Sequence, residues 1–95
     1  MMVYQVTVKF FMDNGEVRRV DWLERHLVKK DSNEYLTREE AEMQFRAMLV
    51  TYLKEGKVFS VPNIKGKVSI VPCSKVSYME LSVQEWRDDD NNGGN

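Results

Sequence analysis

The chain has little of what most protein chemistry needs. It holds one cysteine and one histidine in 95 residues. A single thiol cannot close an intramolecular disulfide, and one Cys with one His cannot build a His/Cys zinc site. No window approaches the roughly 18–20 apolar residues of a membrane span. The N-terminal residues lack the basic segment and continuous apolar stretch of a signal peptide, because Gln5, Thr7 and Lys9 interrupt the apolar positions. Neither sign of charge dominates: 14 Lys and Arg stand against 15 Asp and Glu, a net charge of −1. There is no G-x-G-x-x-G, no Walker-type loop, no H-E-x-x-H and no G-x-S-x-G. These absences predict a cytoplasmic protein with no membrane partner and no cofactor, and not an enzyme.

What is present suits one small folded domain. Apolar residues at 42% and charged residues at 31% argue against wholesale disorder, and the length fits a single core. Met2, Tyr4, Val6, Val8, Phe10 and Met12 alternate with Gln5, Thr7 and Lys9, the pattern of a half-buried strand whose outer face also carries Val3 and Phe11. Asn14-Gly15 is a hairpin signal, since both residues tolerate positive φ. A two-residue turn would set Phe10 opposite Arg19. One extra residue at Arg18-Arg19 would bring Val20 there instead, so a β-bulge is predicted, with a longer turn as the alternative. Residues 23–36 are expected to form one or two helical turns and then a loop, or else to extend the second strand.

Thr37-Arg38-Glu39-Glu40 reads as a capping box. The helix should run from Arg38 to about Lys54 with Ala41, Phe45, Met48, Leu49, Tyr52 and Leu53 on its buried stripe, and Gly56 should close it. Met43, Ala47 and Val50 lie beside that stripe. Residues 57–62 and 67–71 read as strands ended by Pro62 and Pro72, and 76–83 as a last strand. The expected fold is α+β: a β-β-α-β-β-β chain with one amphipathic helix over an antiparallel sheet of four to five strands. A small SH3-like or Sm-like barrel with a helix is the alternative. Residues 1–83 form the domain, and 84–95, with Asp88-Asp89-Asp90 and nothing to bury, are expected to be an acidic disordered tail.

The run Ile70-Val71-Pro72-Cys73-Ser74-Lys75-Val76-Ser77-Tyr78-Met79-Glu80 resembles a closing motif of small proteins from Gram-positive bacteria and their phages. In these a strand precedes Ile/Val-Pro-x-x-Lys and then Ile/Val-x-Tyr-x-Glu. The resemblance implies a phage, prophage or accessory bacterial protein. It brings no activity and no catalytic residues.

Candidate reactive groups each have a simpler structural reading. His26 could act as a base, but its flanks Arg25 and Leu27 suggest a surface turn. Cys73 could be a nucleophile near Lys75, yet free cysteine is usually a small buried apolar residue. Glu39, Glu40 and Glu42 begin a helix and serve it as cap and dipole partners. Asp88, Asp89 and Asp90 lack the glycine and terminal Glu of a calcium loop.

Two partner classes remain. The first is a non-enzymatic protein-interaction module that meets another protein or a second copy as a homodimer, with Val3 and Phe11 as its apolar surface. The second is a small nucleic-acid-binding domain using a basic face of Arg18, Arg19, Lys65, Lys67 and Lys75, with Phe59 or Tyr78 for stacking. Residues 57–83 balance to +3 and residues 84–95 to −3. The sequence pI near 5.8 weighs against the second class, since binders of this size are usually above about 9.

Overall fold

The computed structural model describes residues 2–25, 27–29, 31 and 33–87. Five strands and one helix follow in the order β1 (Met2–Met12), β2 (Val17–Arg25), α1 (Arg38–Glu55), β3 (Val58–Pro62), β4 (Val68–Pro72) and β5 (Val76–Arg87). A 3₁₀ turn at Cys73–Lys75 joins the last two strands. The α+β class and the β-β-α-β-β-β order are those expected from the sequence. The strands divide between two antiparallel sheets, however: β2-β1-β5, with β1 in the middle, and a separate hairpin of β3 and β4.

The alternation of β1 decides how these pieces stack. Its even positions Tyr4, Val6, Val8, Phe10 and Met12 are all buried. Both α1 and the β3–β4 hairpin lie over that face. Phe45 of α1 meets Tyr4 and Trp22 edge-on with ring centres 6.4 Å apart in each case. Phe59 of β3 lies 5.5 Å from Phe10 and 5.4 Å from Trp22. One aromatic cluster therefore ties helix, hairpin and sheet together, and each such pair adds about 0.5–1.5 kcal/mol beyond the area it buries. The odd positions of β1 point to the other, more open side, where Val3, Gln5, Thr7 and Phe11 are half-buried and Lys9 is exposed.

Local chemistry sets the ends of α1. The Thr37 hydroxyl accepts from Glu40 N–H at 3.1 Å, and Thr37 N–H donates to the Glu40 carboxylate at 2.8 Å. That reciprocal pair is the capping box read from the sequence. Gly56 closes the helix at φ +63°, a conformation in which a Cβ would be strained. Ala41, Phe45 and Leu49 are its buried residues.

Three expectations are corrected. The turn between β1 and β2 has three residues, not two: Met12 N–H donates to Glu16 O at 2.9 Å and Gly15 N–H to Met12 O at 3.0 Å. Of Asn14 and Gly15, only Gly15 takes positive φ. The extra residue therefore sits in the turn, the Arg18-Arg19 bulge does not form, and β1 and β2 pair in unbroken register from Phe11↔Val17 to Val3↔Arg25. Phe10 does face Arg18, but Phe59 covers its ring while the Arg18 guanidinium reaches Glu16 at 3.2 Å. The irregularity in this sheet lies on β5 instead, where Tyr78 pairs with Phe11 but Val76 pairs with Met12, leaving Ser77 as the extra residue.

The second correction concerns residues 23–36, where the alternative of an extended second strand replaces the expected helical turns. β2 runs on to Arg25, and an antiparallel bridge joins Val28 to Tyr35. No helical turn occurs among the described residues there. The third concerns the C-terminal boundary. β5 extends through Gln84, Glu85, Trp86 and Arg87, because β1 is long enough to pair with them. The tail expected from residue 84 cannot begin before 88, and residues 88–95 lie outside the described residues.

Candidate functional site

Every row of the open sheet face can be read from the strand register. Arg25, Val3 and Trp86 lie side by side at one end, and Val17, Phe11 and Tyr78 at the other. Between them come Leu23–Gln5–Gln84, Asp21–Thr7–Ser82 and Arg19–Lys9–Glu80. Val3 and Phe11 thus share a face but stand eight residues apart on one strand, roughly 27 Å at 3.3–3.4 Å per residue. The rows between them are largely polar, so the two do not form one apolar patch. Phe11 is stacked on Tyr78, with ring centres 4.3 Å apart and planes 1° from parallel.

The polar middle of this face is internally bonded. Thr7 donates to Asp21 at 2.6 Å, and Arg19 Nε donates to the same carboxylate at 3.1 Å. Partial burial pushes the Asp21 pKa up, but the bonds from Thr7 and Arg19 outweigh it and hold the carboxyl below its usual range. At the Trp86 end the indole N–H donates to Gln5 Oε1 at 3.0 Å.

The five basic residues named from the sequence do not converge. Arg18 and Arg19 project from opposite faces of β2, as neighbours on a strand must. Arg18 lines a recess with Lys75, and Arg19 lines another with Lys65 in the β3–β4 turn. Both arginines are already paired, with Glu16 and Asp21. Phe59 is buried in the core, so of the two stacking candidates only Tyr78 reaches solvent.

The reactive candidates separate in the same way. Cys73 is 1% exposed, and burial pushes its thiol pKa up, away from the thiolate a nucleophile requires. His26 lies outside the described residues. Among the described residues no group of three or more His, Cys, Asp or Glu side chains is placed to hold a metal ion. No helix among them is long and apolar enough to cross a membrane.

A different site emerges where α1 meets the outer border of β5. Phe45 reaches to Tyr4 on β1 and Trp22 on β2 from a helix that lies along β5. There a groove of about 390 Å³ runs between strand and helix. Met79 and Leu81 form its strand wall, Leu49, Val50 and Leu53 its helix wall, and Glu42 and Arg46 its charged lip, with Tyr78 at one end. The helix residues fall at i, i+4, i+7, i+8 and i+11 from Glu42, a stripe that shares Leu49 and Leu53 with the core stripe and adds Glu42, Arg46 and Val50.

Hydrogen-bond alternation gives this groove a polar rail. In an antiparallel ladder only alternate residues bond to a given neighbour. Met12 N–H donates to Glu16 O in the β1–β2 hairpin, so the even positions of β1 bond toward β2 and the odd ones toward β5, where their partners from Tyr78 onward are the even positions; Arg38 Nη1 also donates to Val83 O, at 3.4 Å. The odd positions of β5 therefore turn their main-chain groups outward, Met79 and Leu81 included. Among the described residues β5 is an edge strand, paired with β1 on one side and with no strand on the other.

Sequence reasoning placed Val50 beside the main helix stripe but did not join it to the last strand. The available signal was Tyr78-Met79-Glu80-Leu81-Ser82-Val83-Gln84, seven residues with no proline and no lysine. Comparison of the chain with protein-family models, with curated proteins and with solved structures gives no match.

Proposed function

We propose that this chain is a non-enzymatic protein-interaction module, and that its binding site is the outer border of β5 together with the groove under α1. One observation carries the reading: an unpaired strand edge lies beside an apolar groove whose two walls are a strand and a helix. Strand addition uses both parts. The edge offers main-chain hydrogen bonds, and the groove takes every second side chain of the incoming strand. Burying the groove's apolar walls would contribute about 25 cal/mol for each Å² removed from water.

The resemblance of the closing strand to proteins of Gram-positive bacteria and their phages adds a context to this proposal, that of a phage or prophage accessory factor. The lone buried thiol is in keeping with a reducing cytoplasm. The nucleic-acid reading has less support, because the basic side chains are split between two faces and two of them are ion-paired.

The test is selection of peptides from a random library, followed by mapping with backbone amide shifts. Selected peptides should perturb residues 78–83 together with α1 residues 42–53, and Val50→Glu should abolish binding. Peptides that map to the open sheet face, or a library that yields none, would overturn the site. Salt-sensitive retention on heparin that is lost in Arg18→Ala or Lys75→Ala would favour the nucleic-acid reading.

A further inference from the structure

The groove's occupant can be named from the strand itself. We propose that β5 pairs antiparallel with β5 of a second copy across a twofold axis, joining two three-stranded sheets into one of six strands. This rests on the reading of the β5 border as a docking site and adds what docks there.

Register supplies the first argument. Paired residues must share a face, so a symmetric antiparallel pair is centred on a residue, and beside the groove the choices are Glu80, Leu81 and Ser82. Centring on Glu80 would set two carboxylates directly opposite, which is destabilising. Centring on Ser82 would set Met79 against Glu85 and place a carboxylate on the apolar groove wall. Centring on Leu81 sets Leu81 against its own copy and Met79 against Val83, both on the groove side. On the open side Tyr78 then faces Gln84 and Glu80 faces Ser82. No like charges meet, and Met79, Leu81 and Val83 all fall on the helix-covered side. Of the three registers, this one makes the strand complementary to itself.

Layering supplies the second. A twofold axis perpendicular to the sheet keeps both helices on the same side of it. The stripe of α1 that borders the groove then faces its own copy, antiparallel, across the new seam. That stripe carries one acid and one base four residues apart, Glu42 and Arg46, so antiparallel helices can oppose unlike charges. It also carries Val50, which is 44% exposed, with Met43 beside it at 59%. Each helix closes the other copy's groove. Strand pairing alone is a narrow contact, and the helix seam adds the area a specific dimer needs, on the order of 1,200 Å² in total.

Elimination supplies the third. Residues 88–95 follow β5 directly and could reach its edge, but they are Asp, Asn and Gly throughout and have no side chain to fill an apolar groove. The contact from Arg38 to Val83 O does not block pairing, since a carbonyl oxygen has two lone pairs.

Sedimentation equilibrium from micromolar to hundreds of micromolar tests the proposal, with hydrogen exchange read at the Met79 and Leu81 amides. A monomer–dimer equilibrium is expected, with exchange at these two amides slowing in step with the dimer fraction. Val50→Glu, on the exposed helix side, should raise the dimer dissociation constant at least tenfold while leaving the fold intact. Leu81→Lys should act in the same direction. A chain that stays monomeric yet binds selected peptides in the groove would overturn the second copy as occupant and leave the docking site standing. A monomer that binds no peptide there would overturn both. A dimer in which these amides exchange as fast as in the monomer would place the interface elsewhere and also overturn the proposal.

Discussion

The two edges of the three-stranded sheet are built on different terms. Along β2 the sequence sets Arg18, Arg19, Asp21, Glu24 and Arg25, and Ile64 N–H from the β3–β4 turn donates to Asp21 O at 3.1 Å. That edge is charged along its length and plugged near its middle. Along β5 the seven residues from Tyr78 to Gln84 carry one charge, Glu80, and the nearest irregularity is the extra residue at Ser77. Natural sheets usually guard both edges with charge, proline, bulges or a covering segment. That contrast, with an apolar groove beside the less guarded edge, is the ground on which pairing through β5 is proposed. The small hairpin follows the guarded pattern too: β3 and β4 each end in proline, and Lys65 and Lys67 sit in their turn.

The comparison depends on a core that both edges share, and the largest effects belong there. Phe45 touches Tyr4 and Trp22 and so fixes how far α1 stands from β5. Phe45→Ala should destabilise the fold by about 3–5 kcal/mol, measured by urea unfolding. It should also blur the groove, seen as broadened amide signals at Met79 and Leu81. A variant as stable as wild type would mean that the helix is not held as described. Thr37→Ala comes next, at about 0.5–2 kcal/mol through loss of the N-cap. The Glu40 carboxyl is held below its usual pKa first by the Thr37 N–H, which alanine keeps, so its titration should stay below the ordinary carboxylate range in this variant.

Legibility in the sequence followed how local each cause was. The helix was fully legible, because capping box, apolar stripe and terminal glycine all act within one turn of the residue concerned. The alternation of β1 was legible for the same reason. At residues 13–15 the bulge was preferred and the longer turn, which forms, was only the alternative, because the choice between them depends on what covers Phe10, and Phe59 lies 49 positions further on. The end of β5 was misread because polar residues such as Gln84 and Glu85 form a strand only when a neighbour as long as β1 is there to pair with them. The groove was the least legible, since its walls come from α1 and β5 and only the tertiary fold joins them. Val3 and Phe11 were correctly read as outward-facing, yet alternation cannot say that polar rows separate them.

Acid should weaken the guarded edge selectively. The folded-state pKa of Asp21 lies below its unfolded value, near 4, so its contribution is fully present above about pH 4 and is lost as pH falls through the lower folded value. Asp21→Asn should cost about 0.5–1.5 kcal/mol at neutral pH, the usual worth of an intramolecular hydrogen bond. In urea unfolding the gap between wild type and variant should narrow from about pH 4 downward. A gap independent of pH would show that the charge on Asp21 does not hold Thr7 and Arg19 in place.

The smallest change in stability is expected where the two edges differ most. Arg19 lies on the exposed side of β2, and its ion pair with Asp21 is partly solvated, a class of contact worth about 0–1 kcal/mol. Arg19→Val places a strand-favouring residue there and removes one guarding charge. Folding stability should change by no more than about 0.5 kcal/mol, because the lost ion pair is weak and valine suits the pleat. Association is the informative readout. Ile64 still occupies the Asp21 carbonyl, so new pairing through β2 should be slight, visible in light scattering only at the highest concentrations and undiminished by Val50→Glu. If Arg19→Val instead aggregated at low micromolar concentration, charge alone would have been guarding this edge and the Ile64 contact would count for little. If Val50→Glu suppressed the new association, it would run through β5, and the two edges would not be independent.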